Sequence, residues 1–100
     1  MDNRVYATYI MANWNNKVLY VGSTAIFPER IDQHRKKLVD GFTKKYQVNK
    51  LVFYEMGDDL QSVRQREWQV KRWRRAKKVQ LIESMNPGWK DLYPNLMNNM

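Results

Sequence analysis

Two phenols, Tyr9 and Tyr20, flank the turn-forming stretch Asn13-Trp14-Asn15-Asn16, eleven residues apart. If the turn is centred between Asn15 and Asn16, facing residues have numbers summing to 31. Tyr9 then opposes Gly22 and Met11 opposes Tyr20, so the phenols become diagonal neighbours on one sheet face. Such neighbours lie about 7–8 Å apart, within reach of one substrate group. Gly22 leaves space beside Tyr9 for a group to approach the backbone. A one-residue bulge would send one phenol to the other face. Cross-strand aromatics are also ordinary packing, so spacing alone does not make a site.

Polar residues in apolar slots add to the set. Leu60, Val63 and Val70 form a stripe at helical spacing, and the missing member at position 67 is Glu67. A carboxylate facing the protein body costs several kcal/mol unless a cation compensates. Lys71, four residues on, offers an ordinary ion pair, but an exposed pair of that kind contributes only about 0.2–0.5 kcal/mol. A metal ion is the alternative. Phe27, Ile31 and Leu38 form a second stripe, with Arg30 and His34 one turn apart on its flank. Two basic groups facing together suit an anion between them, and a phosphate is the natural one.

These residues need a scaffold. Residues 5–12, 17–22 and 51–56 read as strands, the first two as a hairpin. Helices are expected from Pro28 to about Val39, from Asp59 to about Arg74, and from about Ala76 to Met85. Residues 42–49 read as a basic loop, and Trp89, Leu92 and Tyr93 as folding back on the body. The whole is an α+β domain over residues 1–93, a largely antiparallel three-stranded sheet in the order β-β-α-β-α-α, with 94–100 as a loose tail.

Composition bounds the partner. Eighteen Lys and Arg against ten Asp and Glu give a net charge of +8, which attracts polyanions. Nucleic acid leads on that ground, although many small proteins are simply basic. Lys17, Arg35, Lys36, Lys44, Lys45, Lys71 and Arg74 are the expected phosphate contacts, giving salt-sensitive binding with little sequence preference. With no cysteine, disulfides and thiolate metal sites are excluded. No apolar run approaches a membrane span. The start of the chain lacks the apolar segment of a signal peptide, so a cytoplasmic setting is expected, and no obligate protein partner is evident. No serine has a nucleophile-elbow context.

In order along the chain, Tyr9, Tyr-Val-Gly at 20–22, Arg30, His34 and Glu67 resemble the GIY-YIG nuclease superfamily. Similarity is greatest to its small stand-alone bacterial members, which are like the N-terminal domain of an excinuclease. The first motif departs from the family, reading Ala7-Thr8-Tyr9, but keeps its tyrosine. The resemblance implies a metal-dependent endonuclease acting on DNA, with repair or processing as its setting. It makes Tyr9, Tyr20, Arg30, His34 and Glu67 the catalytic set, and Glu67 the ligand of a single Mg²⁺ or Mn²⁺. Tyr9 is the first choice of base. A phenol ordinarily titrates near pH 10. Acting near neutrality needs roughly 3–4 kcal/mol of phenolate stabilisation, for which Lys17, Arg30 and the metal are candidates. Arg30 would hold the phosphate in the transition state, and His34 would bond it or relay a proton. Asn86 is the candidate for the asparagine that many members carry after the glutamate. The competing reading is a nucleic-acid-binding module without catalytic power.

Overall fold

The computed structural model describes residues 4–37 and 41–98. Three strands, β1 (Tyr6–Ala12), β2 (Leu19–Thr24) and β3 (Lys50–Gly57), form one sheet in the order β2-β1-β3. Both pairings are antiparallel. β1 lies in the centre, and from Ala7 onward all its residues are buried. That suits a strand with almost no polar position, since both its faces must be covered. β2 is an edge strand. Tyr9 pairs with Gly22 and Met11 with Tyr20, the register expected from the turn. The sheet does contain a bulge, between Ile10 and Met11, but on the β3 side, so the hairpin register is undisturbed.

Five helices complete the chain: α1 (Glu29–Arg35), α2 (Gly41–Lys45), α3 (Leu60–Lys71), α4 (Arg75–Met85) and α5 (Tyr93–Asn98). Asp59 caps α3 as expected, its carboxylate accepting from the Ser62 amide at 2.7 Å. Three expectations change. α1 ends at Arg35, and Lys37 turns the chain with φ 59°, so the helix stops short of the expected Val39. Residues 38–40, including the stripe member Leu38, lie outside the described residues. The expected basic loop contains α2, because Thr43 and Val48 are buried and tie it down. Of the segment expected as a tail, residues 94–98 belong to α5, which with Leu92 packs against the core through Tyr93 and Leu96; residues 99–100 lie outside the described residues.

The α5 segment is held at α1 and β3 by polar contacts too. Tyr93 Oη donates to Asp32 Oδ1 at 3.0 Å, and the Leu92 amide donates to the Leu51 carbonyl at 2.8 Å. Hydrogen bonds from Lys36 and then Tyr93 hold the Asp32 carboxyl below the usual carboxylate range. Burial, and then the bond to Asp32, push the Tyr93 phenol up.

The core has two parts, one on each face of the sheet. Ala7, Tyr9, Met11, Phe27, Ile31, Val48 and Leu51 pack on the α1 side. Ile10, Ala12, Val21, Val52, Phe53, Val70 and Ile82 pack on the α3–α4 side. The period-2 alternation of β1 and β2 makes this division. It also decides where each candidate residue points.

Candidate active site

Tyr9 and Gly22 share the α1 face because they are register partners. A Cβ on Gly22 would stand 2.6 Å from both the Tyr9 hydroxyl and its Cζ, so the space left by the glycine is filled by the Tyr9 ring itself. The sequence reading of that space as room for a ligand is therefore corrected. Gly22→Ala is expected to lose about 1–3 kcal/mol of stability by overpacking, read as a lower midpoint in urea. An unchanged midpoint would show that the ring can give way.

His34 is 3 % exposed and sits under the two phenols. Its Nε2 lies 2.8 Å from Tyr9 Oη, and its Nδ1 lies 3.2 Å from Thr43 Oγ1. The ring centroids of Tyr9 and Tyr20 are 6.3 Å apart, and each packs against the imidazole, at 5.7 and 5.2 Å. The phenols do come together, as the hairpin register requires. Both His34 nitrogens thus have partners inside the protein. Thr43 was missed by sequence reasoning. It lies in a stretch without periodicity, and only its contact with His34 shows what it does.

Arg30 occupies the second position of α1, one turn before His34, and is half-buried. Its guanidinium makes no hydrogen bond, ion pair or ring contact among the described residues, so its donors are available to an anion.

Glu67 is inward-leaning, its side chain 21 % exposed. Ser23 Oγ donates to its Oε1, and Lys71 Nζ lies 2.5 Å from its Oε2. Ser23 follows Gly22 and points to the opposite face, where α3 packs. The carboxylate thus reaches edge strand β2 from one side while Tyr9 and Tyr20 reach it from the other. The candidate residues therefore straddle β2. Ser23, a second residue that sequence reasoning missed, fixes one carboxylate oxygen there.

Mg²⁺ keeps several waters and takes one or two carboxylates besides substrate oxygens. The donor set at Glu67 fits that pattern: a carboxylate at a strand edge, with a hydroxyl beside it. Its second oxygen is paired with Lys71, whose side chain is half exposed. Among the described residues no three His, Cys, Asp or Glu gather into a cage. Substrate would have to complete the shell. Glu55, on β3 at the other edge of the sheet, is paired with Arg66, 2.9 Å away.

Asn86 does not join this group. It caps the C-terminus of α4 and is 5 % exposed. Its amide donates to the carbonyls of Val52 at 3.1 Å and Lys90 at 2.8 Å, and its oxygen accepts from the Lys90 amide at 3.0 Å. The bond to Val52 ties the end of α4 to β3, and the two to Lys90 close the turn that follows. Asn86→Ala is expected to cost about 1–3 kcal/mol, because buried carbonyls lose their donors. The specific activity of the folded fraction should not change. Loss of activity at full stability would restore Asn86 to the site.

The basic residues divide. Arg35 is spent on Asp91, the Asn49 carbonyl and the Tyr93 ring, Lys36 on Asp32 at 2.9 Å, and Lys71 on Glu67. Lys17, Lys44, Lys45 and Arg74 are exposed and form no ion pair among the described residues. Arg75 donates to the Asn16 and Lys17 carbonyls and so buttresses the hairpin tip. No helix of the described residues is long and apolar enough to cross a membrane.

Comparison with known proteins gives two findings. The family described as the GIY-YIG catalytic domain matches residues 5–80. A UPF0213 protein of Syntrophus aciditrophicus (strain SB) is 40% identical over 74 residues, covering 73% of this chain and 84% of the relative. No solved structure matches the chain.

Proposed function

The chain belongs to the GIY-YIG nuclease family, and we propose that it is a divalent-metal-dependent endonuclease, cutting nucleic-acid phosphodiester bonds along the free edge of β2. The observation that carries this reading is the buried chain Thr43–His34–Tyr9. With Nδ1 carrying the proton, Thr43 Oγ1 would accept from Nδ1–H and the Nε2 lone pair would accept from the Tyr9 hydroxyl. When Tyr9 takes a proton from the attacking water, its own proton passes to Nε2. This is the logic of an oriented acid–base pair, a proton acceptor held in one tautomer by a third group. Tyr9 is 2 % exposed, so the attacking water has to reach its hydroxyl past the half-buried Tyr20. Arg30, with its donors unspent, holds the phosphate as charge develops on it.

Glu67 would hold the metal ion, which when bound supplies positive charge to the scissile phosphate. Ser23 keeps one carboxylate oxygen in place, and Lys71 would have to give up the other for a cation to bind there. Lys17, Lys44, Lys45 and Arg74 supply affinity from backbone charge contacts. DNA is the proposed substrate, with repair or processing as its setting and the cytoplasm as its compartment.

One observation favours the second reading, a binding module that does not cut: both Glu67 oxygens already have partners. The test incubates the purified protein with single-stranded, duplex and branched DNA and with RNA, in Mg²⁺ or EDTA. Cutting in Mg²⁺ alone is expected. Salt-sensitive binding without cutting on any of these substrates would establish the second reading instead.

A further inference from the structure

α2 carries two large aromatics that the proposed chemistry does not use. Phe42 is 43% exposed and Tyr46, just beyond the helix, is 42% exposed. They continue the aromatic series of the site outward. Tyr20 to Phe42 is 5.9 Å between ring centroids, and Phe42 to Tyr46 is 4.9 Å. The segment is firmly held, because Thr43 points inward to His34 and the Val48 amide closes on the Thr43 carbonyl at 2.9 Å. Filling the core does not explain rings left this open on an anchored segment. Their surroundings are cationic: Lys44 and Lys45 are exposed, and Lys45 Nζ lies 5.4 Å from the Tyr46 ring centre.

We propose that Phe42 and Tyr46 form a stacking platform for an unpaired base of a single-stranded polynucleotide, next to the phosphate cut at β2. Lys44 and Lys45 contact the neighbouring phosphates. Aromatic faces beside lysines are the means by which proteins grip single strands without reading sequence, since every base offers a flat face. Duplex bases, stacked on each other, cannot use the platform. The substrate preference that follows is for a strand with at least one base free near the scissile bond. This inference rests on the nuclease reading for its placement, and the test separates the two.

Tyr46 is the residue to change, since Phe42 touches Tyr20 and its loss would disturb the site itself. Binding of a labelled single strand and of a blunt duplex is measured by fluorescence anisotropy in EDTA across a salt series. Tyr46→Ala is expected to weaken the single strand about tenfold, the loss of one stacked base. The duplex should change less than about twofold and the salt slope not at all, because stacking releases no counterions. Tyr46→Phe should match wild type. A strand carrying 5-iodouracil should photocrosslink within residues 42–46. Equal losses on both substrates, no loss on either, or crosslinks confined to the exposed Trp14 or Trp68 would each overturn the platform. A wild-type protein that binds no polynucleotide would overturn the nuclease reading as well.

Discussion

Tyr9→Phe is expected to lower single-turnover cutting by about 10²–10⁴-fold, the usual worth of a positioned proton acceptor, while substrate affinity stays within about twofold. The ring is retained, so the packing of Tyr9 against Tyr20 and His34 survives. Removing the hydroxyl leaves Nε2 buried without its 2.8 Å partner, which costs about 1–3 kcal/mol of stability. Activity must therefore be compared at a temperature where both proteins are folded. His34 is the sole histidine, so its imidazole ¹⁵N signals are unambiguous and report the same contact without any substrate. In wild type they should show the tautomer protonated on Nδ1, and Thr43→Val should abolish that preference where Thr43→Ser keeps it. If Tyr20→Phe is the dead variant and Tyr9→Phe is active, the roles of the phenols are exchanged.

Glu67→Gln is the second large effect. The substitution keeps the side-chain shape and the acceptor for Ser23, so the fold should survive. It removes the carboxylate that Ser23 fixes at the β2 edge. Several kcal/mol of charge stabilisation at the phosphate disappears with the ion, so cutting should fall by at least about 10³-fold. The Lys71 ammonium, which lies 2.5 Å from the carboxylate in the folded chain, becomes a free cation near the substrate. DNA binding in EDTA should then hold or tighten slightly. Titration with Mn²⁺ in the presence of an uncleavable phosphorothioate strand should give one bound ion for wild type and none for the variant. Two ions per chain would contradict the single-carboxylate site.

What the sequence made readable was periodicity and chain-local chemistry. A two-residue period and a turn centre were enough to set Tyr9 against Gly22 and Met11 against Tyr20, and Asp59 was recognisable as a cap. Glu67 stood out as a polar member of an apolar stripe, and the structure keeps it largely sheltered. What could not be read was anything decided by contact between distant segments. α2 is five residues long and exists because Thr43 and Val48 find the core. α5 likewise forms where Leu92 and Leu96 meet that core. Thr43 and Ser23 orient His34 and Glu67 across gaps of nine and 44 residues, and no local pattern marks either. Asn86 had the right type for a site residue, yet its bonds to Val52 and Lys90 consume it. The face on which Glu67 arrives depended on where α3 packs, which the stripe alone did not specify.

The central claim is that phosphodiester cutting happens at the β2 edge, with Glu67 on one side of the strand and Tyr9 on the other. Nicking of supercoiled DNA by wild type and Glu67→Gln, purified in parallel and assayed in Mg²⁺ and in EDTA, tests it most directly. Nicking by wild type in Mg²⁺, and by neither protein otherwise, is the expected result. Equal nicking by the two proteins in Mg²⁺ would contradict it.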